Sequence, residues 1–261
     1  MSLSRRQVTL AALAAVPLRP GGRKVRTLYI AGDSTAAQKY VPEAPETGWG
    51  MALPFFLRKG VKVANHAVNG RSSKSFVDEG RLDAILAAIR PGDFLLVQFA
   101  HNDEKTADPT RYTEPWTTYQ DYLRMYIDGA RGRGARPVLA TPVERRRFDV
   151  DGNALPTHGD YPAAMRALAE QERVALLDIE ALSLALWQRL GVEETKVYFN
   201  WTDTEQDNTH FNPPGAIAVA RLVARELLRT RVLASREVVR LHEDIPTSWI
   251  TWPEATDAPV L

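Results

Sequence analysis

The sequence predicts an α/β fold built on a parallel sheet that helices cover on both faces. Three observations lead there. Five short runs rich in Val, Ile, Leu or Phe are apolar along most of their length, as strands buried on both faces must be. Segments with helical periodicity separate them. Gly, Pro or charged residues bound each run, so the apolar stretches are too short to be core helices.

The elements follow in order. "VRTLYIA" (25–31) is the first strand and "VKVANHAV" (61–68) the second. "DEGRLDAILAAI" (78–89) reads as a helix, and "DFLLVQFA" (93–100), apolar from Phe94 to Ala100 except at Gln98, as the third strand. "YQDYLRMYIDGARGRG" (119–134) is helical, "RPVLATP" (136–142) is a strand, "YPAAMRALAEQER" (161–173) is helical and "VALLDI" (174–179) is a strand. "PPGAIAVARLVARELLRT" (213–230) closes the series as a helix, with proline in the first turn, where a missing N–H costs nothing. No internal repeat, low-complexity segment or composition shift divides the chain, and 261 residues fit one large α/β domain.

Composition narrows the function classes. Hydrophobic content of 44% and charged content of 25% are those of an ordinary globular protein. A formal charge of +1, with no dense basic stretch interleaved with aromatics, gives no reason to expect nucleic acid as a partner. Zero cysteines rule out disulfides, thiolate catalysis and Cys-ligated zinc. No HExxH or comparable cluster points to a metal, and no metal or other cofactor is expected.

The N-terminus carries a different signal. In "SRRQVTLAALAAVPL" the pair Arg5–Arg6 precedes an apolar run from Val8 to Val16, which is too short to span a bilayer. This pattern resembles a twin-arginine export signal, with Val8 where such signals usually carry phenylalanine. Residues 1–22 are therefore expected to be cleaved, 23–235 to form the folded domain and 236–261 to be a tail packed on it. The mature protein is expected to be periplasmic or extracellular, with no membrane partner. Cleavage near Pro20 would remove Arg5, Arg6 and Arg19 and take the formal charge from +1 to −2.

In an open parallel sheet, ligands bind beyond the carboxyl ends of the strands. The first strand ends in "GDST" with Ser34, the second in "NHAVNGRSS" with Gly70, and the third in "FAHNDE" with Asn102; "DNTH", with Asp207 and His210, stands just before the last helix. Each block alone reads as a turn or a helix cap. Together they supply a hydroxyl, a backbone donor, an amide, a carboxylate and an imidazole, which are the parts of an acyl-transfer site.

These four blocks, in this order, resemble the SGNH hydrolases, also called GDSL esterases. "GWG" (48–50) and "AHND" (100–103) resemble more narrowly the rhamnogalacturonan acetylesterase-like branch. The resemblance spans about residues 25 to 230. It implies a three-layer α/β/α sandwich with a central five-stranded, flavodoxin-like parallel sheet. It also implies Ser34 as nucleophile, His210 as base, Asp207 as the acid orienting it, and an oxyanion hole from the N–H groups of Ser34 and Gly70 with the Asn102 amide. One departure is Ala100, in place of the glycine of the third block. The substrate implied is an acetylated pectin-type polysaccharide. A lipase, thioesterase or general carboxylesterase of the same type is the alternative, and a silent carbohydrate-binding protein the third class. A nucleophile elbow of the α/β-hydrolase kind would bring the same chemistry on another fold.

Softer candidates remain. Trp49, Trp116 and Trp201 fall in loops where an aromatic face could stack on a sugar, and Arg71 could meet a carboxylate. "ERRRF" (144–148) reads as a solvated loop. His66 and His101 read as packing groups near the same edge, and His158 and His242 as surface residues.

Overall fold

A computed structural model describes residues 25–257. The export segment expected over 1–22 lies outside the described residues. Five strands form one sheet: β1 (Arg26–Gly32), β2 (Val61–Asn65), β3 (Phe94–Gln98), β4 (Arg136–Ala140) and β5 (Ala175–Leu177). Their order is β2-β1-β3-β4-β5 and every pairing is parallel.

Strand alternation explains why the apolar runs have no polar face. Leu28 and Ile30 of β1, Phe94 and Leu96 of β3, and Val138 and Ala140 of β4 enter one core; Tyr29 and Ala31, Leu95 and Val97, and Leu139 enter the other. The period-2 geometry of a strand thus feeds two cores at once. The first core is closed by the one-turn helix α1 (Trp49–Ala52). The second takes Phe76 of α2 (Ser73–Asp78), Leu82 and Ile85 of α3 (Arg81–Ala88), Leu123 and Ile127 of α4 (Gln120–Gly132), and Leu168 of α5 (Tyr161–Glu172). Trp187 of α6 (Ile179–Glu194) and Val219, Val223 and Leu227 of α7 (Pro213–Arg229) complete the first core. The result is the expected three-layer α/β/α sandwich.

Three local features differ from the sequence reading. The helix expected over 78–89 is α3, and a further helix not expected from the sequence, α2, precedes it. Ser72 caps α2 by accepting from the Ser75 N–H while Ser75 Oγ accepts from the Ser72 N–H, so a helix starts earlier and ends before Gly80, which takes φ +72°. Helix α6 occupies a stretch not singled out in the sequence. The "DNTH" block is also more than a turn, because it lies on β7 (Gln206–Phe211), which pairs antiparallel with β6 (Phe199–Trp201) as a hairpin outside the main sheet.

Beyond residue 235 the chain runs back over the domain. Val239 N–H donates to the Phe56 carbonyl, Ile245 and Ile250 are buried in the first core, and Trp252 Nε1 donates to the Glu46 carbonyl at 2.8 Å. No helix among the described residues is long and apolar enough to cross a membrane.

Candidate active site

The turn after β1 is shaped by Asp33. Its Oδ1 accepts from the Thr35 N–H at 2.9 Å and from Thr35 Oγ1 at 2.7 Å, and its Oδ2 lies 3.2 Å from His101 Nδ1. Burial alone would raise the Asp33 pKa; His101 and the Thr35 bonds outweigh it and hold the carboxylate ionised. Burial pushes His101 the other way, down to about 4, so the ring is neutral and donates Nδ1–H to Asp33. The "GWG" block braces the same turn from below. Trp49 N–H donates to the Thr35 carbonyl, Gly50 N–H to the Ala36 carbonyl, and a Cβ at Gly48 would sit 2.0 Å from the Ala37 oxygen. Only glycine lets the two backbones approach this closely.

Ser34, at the apex, places Oγ 2.8 Å from His210 Nε2, and His210 Nδ1 lies 2.6 Å from Asp207 Oδ2. Asp207 and His210 stand three positions apart, a spacing that would put them on opposite faces of a regular strand. A bulge solves this. Phe199 pairs with Phe211 and Trp201 with Gln206, so Asn200 alone stands opposite residues 207–210. Asp207 Oδ1 holds the bulge by accepting from the N–H groups of Thr209 (2.7 Å) and His210 (3.0 Å), leaving Oδ2 for the imidazole. Burial opposes ionisation of Asp207, but the His210 bond and these amides win and lower its pKa. Burial likewise works to lower the His210 pKa, yet the Asp207 bond and the charge of Glu46 raise it above the ordinary value, with Lys39 pulling back.

Three candidate donors line the same cleft. Ser34 N–H and Gly70 N–H have no acceptor among the described residues. Gly70 takes φ +75°, a conformation L residues avoid. Asn102 Nδ2 donates one hydrogen to the Arg71 carbonyl at 3.0 Å and keeps the other free; Arg111 Nη1, 3.4 Å from Asn102 Oδ1, fixes which way the amide faces. Ala100 is fully buried and has no positive φ, so the extra methyl in place of glycine is accommodated without backbone strain.

These groups line one cleft of about 390 Å³, which brings together Ser34, Gly70, Asn102 and His210 with Glu46 and Lys105. Asn69, His101, Arg145 and Thr209 complete its wall. Burial and the guanidiniums of Arg111 and Arg145 hold the Lys105 ammonium below its usual range.

Two aromatic expectations are corrected. Trp49 is buried, at 1% exposure, and its Nε1 donates to Gln98 Oε1 at 2.8 Å, so it is a core brace and cannot stack on a sugar. Trp201 lies outside the cleft lining, and its ring is covered by the Arg146 guanidinium, 4.4 Å from the ring centroid. The Arg71 side chain turns to Glu79 and the Asn69 carbonyl, in a neighbouring groove that shares Gly70 with the cleft. The "ERRRF" loop is built in, not solvated: Glu144 and Arg146 are buried, and Arg145 pairs with Glu104. His158 is also buried, its Nε2 donating to the Val143 carbonyl, with its ring edge-on to His101. Lys39 and Glu46 went unread in the sequence as site residues because nothing near them repeats or alternates.

The sequence over residues 30–216 matches the GDSL-like lipase/acylhydrolase family. The chain belongs to that family. Among its GDSL-like relatives, rhamnogalacturonan acetylesterase RhgT of Bacillus subtilis is 44% identical over 211 residues, 77% of this chain and 89% of the relative. The probable rhamnogalacturonan acetylesterase YesY of the same organism is 43% identical, over 82% of this chain and 97% of the relative. A crystal structure of the Bacillus subtilis protein YxiM superimposes with a TM-score of 0.71 at 33% identity, covering 79% of this chain and 57% of that one. An acetyl xylan esterase from Geobacillus stearothermophilus, at 17% identity and a TM-score of 0.57, shares the fold over 83% of this chain and 98% of its own.

Proposed function

We propose that this GDSL-like hydrolase is a serine esterase that removes O-acetyl groups from rhamnogalacturonan or a related pectic polysaccharide. The observation that carries the chemistry is the Ser34–His210–Asp207 relay facing two unpaired backbone N–H groups and the Asn102 amide. The relatives named rhamnogalacturonan acetylesterases support the substrate class.

Ser34 Oγ attacks the acetyl carbonyl as His210 Nε2 takes its proton. The tetrahedral oxyanion is held by the Ser34 and Gly70 N–H groups and Asn102 Nδ2, donors that need not reorganise as the charge develops. Collapse expels the sugar oxygen, which takes the proton from His210 and leaves an acetyl-enzyme. Water, deprotonated by His210, then attacks the acetyl group, and collapse releases acetate and restores the Ser34 hydroxyl. Asp207 holds the imidazole in the tautomer this requires and offsets the imidazolium charge.

Substrate class follows from the walls. Glu46, Lys105, Arg145 and Asn69 make a polar rim, and none of the residues lining the cleft would form a long apolar channel. An acetyl group needs only a shallow pocket, whereas each further CH₂ of an acyl chain seeks about 0.8 kcal/mol of apolar burial. Lys105 and Arg145 suit a uronate-bearing backbone. The Arg5–Arg6 pair and the apolar run after it support export of the enzyme to where such polymers occur. The test is acetate release from acetylated rhamnogalacturonan beside hydrolysis of aryl acetate, butyrate and octanoate. Acetate should be released from the polymer, and aryl hydrolysis should fall steeply with chain length. Hydrolysis that rises from acetate to octanoate, with no acetate freed from any polysaccharide, would make the protein a lipase-type esterase.

A further inference from the structure

Lys39 is fully buried, five residues past the nucleophile. Taking an ammonium out of water costs several kcal/mol unless its partners are well placed. Its Nζ donates to Asn69 Oδ1 at 2.6 Å and pairs with Glu46. Asn69 Nδ2 in turn donates to Glu43 Oε1 at 2.7 Å. One buried charge therefore ties the turn after Ser34 to the 40–47 loop and to the turn that carries Gly70.

The peptide joining Asn69 to Gly70 holds the N–H of the oxyanion site. Its other edge, the Asn69 carbonyl, accepts from Arg71 Nη1 at 2.9 Å. With the carbonyl anchored on one side and the Asn69 side chain anchored on the other, the plane of this trans peptide is fixed, and its N–H is left facing the cleft. We propose that Lys39 is a positioning residue for the esterase reaction, holding Asn69 so that the Gly70 N–H stays aimed at the developing oxyanion and holding Glu46 beside His210. This inference rests on the roles assigned above to Ser34, Gly70 and His210.

The pair also brackets the base electrically. The charges facing His210 are Asp207 on its own strand, Glu46 and Lys39 from the loop after β1, and Lys105 and Arg145 across the cleft. Glu46 raises the affinity of His210 for its proton and Lys39 lowers it, so removal of either unmasks the other.

The experiment compares Lys39→Met, Asn69→Ala and the double variant on aryl acetate, with kcat, KM and the pH profile as readouts. Lys39→Met should lower kcat about tenfold to a hundredfold with little change in KM, as expected when a donor made useful only in the transition state is misaimed. Its acidic limb should move to higher pH, which loss of packing alone would not produce. Asn69 is exposed, so Asn69→Ala keeps the fold and should lower kcat in the same way. The double variant should be no worse than Lys39→Met alone, because both act through one peptide. Unchanged kcat in Asn69→Ala, or losses that simply multiply in the double variant, would overturn the proposal; if Lys39→Met fails to fold, Asn69→Ala decides alone. Ser34→Ala in the same assay separates the two readings: retained activity there would remove the esterase assignment itself.

Discussion

The two halves of the proposed catalytic relay are held in different ways. Ser34 and Asn102 stand at the ends of β1 and β3, which pair with each other at the centre of the sheet and are sealed on both faces. Asp207 and His210 stand on a hairpin that shares no strand pairing with that sheet, and their side chains are 23% and 29% exposed. The nucleophile and the Asn102 donor are thus carried by strands of the domain core. Phe199 and Phe211 seat the hairpin on the first core against Trp187, but between them the base is placed by local bonds: Asp207 to the bulge amides, and Arg146 to Asn208. A site can draw its rigidity from packing on one side and from hydrogen bonds on the other, and the two sides should fail differently.

The largest effects strike both halves alike and so test whether they form one machine. Ser34→Ala and His210→Ala should each lower kcat by roughly 10⁴-fold or more, and the double variant should be little worse than either single one. Measured turnover on aryl acetate checks this, and independent, multiplying losses would mean the hydroxyl and the imidazole do not act together. Next in size is the core-held side. Asn102→Ala should lower kcat on the order of a hundredfold with a smaller change in KM, since the amide faces charge that appears only in the transition state. An effect confined to KM would make Asn102 a substrate-binding group instead.

The pH profile addresses the hairpin-held side. Burial lowers the His210 pKa, but the Asp207 bond and the Glu46 charge more than reverse this. His210 works as a base only when neutral, so kcat/KM should fall as pH drops through a value above the ordinary histidine value of about 6.5. Asp207→Asn removes the charge and weakens the bond, so the acidic limb should shift to lower pH while the maximum falls. A limb unmoved by Asp207→Asn would show that another group sets it.

The contrast between the halves also explains what could be read in advance. The strands were legible because neighbours such as Leu95 and Leu96 are both apolar in runs too short for a core helix, as in a strand buried on both faces. Ser34, Gly70 and Asn102 were legible because a parallel sheet delivers its loop residues to one edge. The hairpin was not, since "DNTH" has turn chemistry and no alternation; its strand character depends on Asn200 facing four residues across a bulge. Trp49 was misread because a single aromatic between two glycines has no period to mark it as core, and its partner Gln98 is distant in sequence. His158 and Lys39 were invisible for a related reason. What makes a buried charge or imidazole tolerable is a partner, and Glu104, Val143, Glu46 and Asn69 become partners only once the chain has folded.

The smallest expected effect separates the two halves most cleanly. Arg146 is buried, and its guanidinium donates to Asn208 Oδ1 at 3.0 Å, to Thr195 Oγ1 at 3.0 Å and to the Val192 carbonyl, while its face covers Trp201. It is the side chain that ties the loop after β4 to the hairpin, and it touches neither Ser34 nor Asn102. Arg146→Ala should therefore loosen the base without disturbing the nucleophile. Loss of these bonds costs about 1–3 kcal/mol, part of it from acceptors left unpaired. At about 2–4 °C per kcal/mol for a domain of this size, Tm should fall by several degrees. Turnover should fall about threefold to tenfold, because a 1 Å error in the base is costly while most of the relay survives. Hydrogen exchange is the deciding measurement: amides over 199–211 should lose protection while those of β1 and β3 keep theirs. Equal loss of protection in β1 would mean that the hairpin and the sheet open as one unit, and the difference between the two halves would vanish.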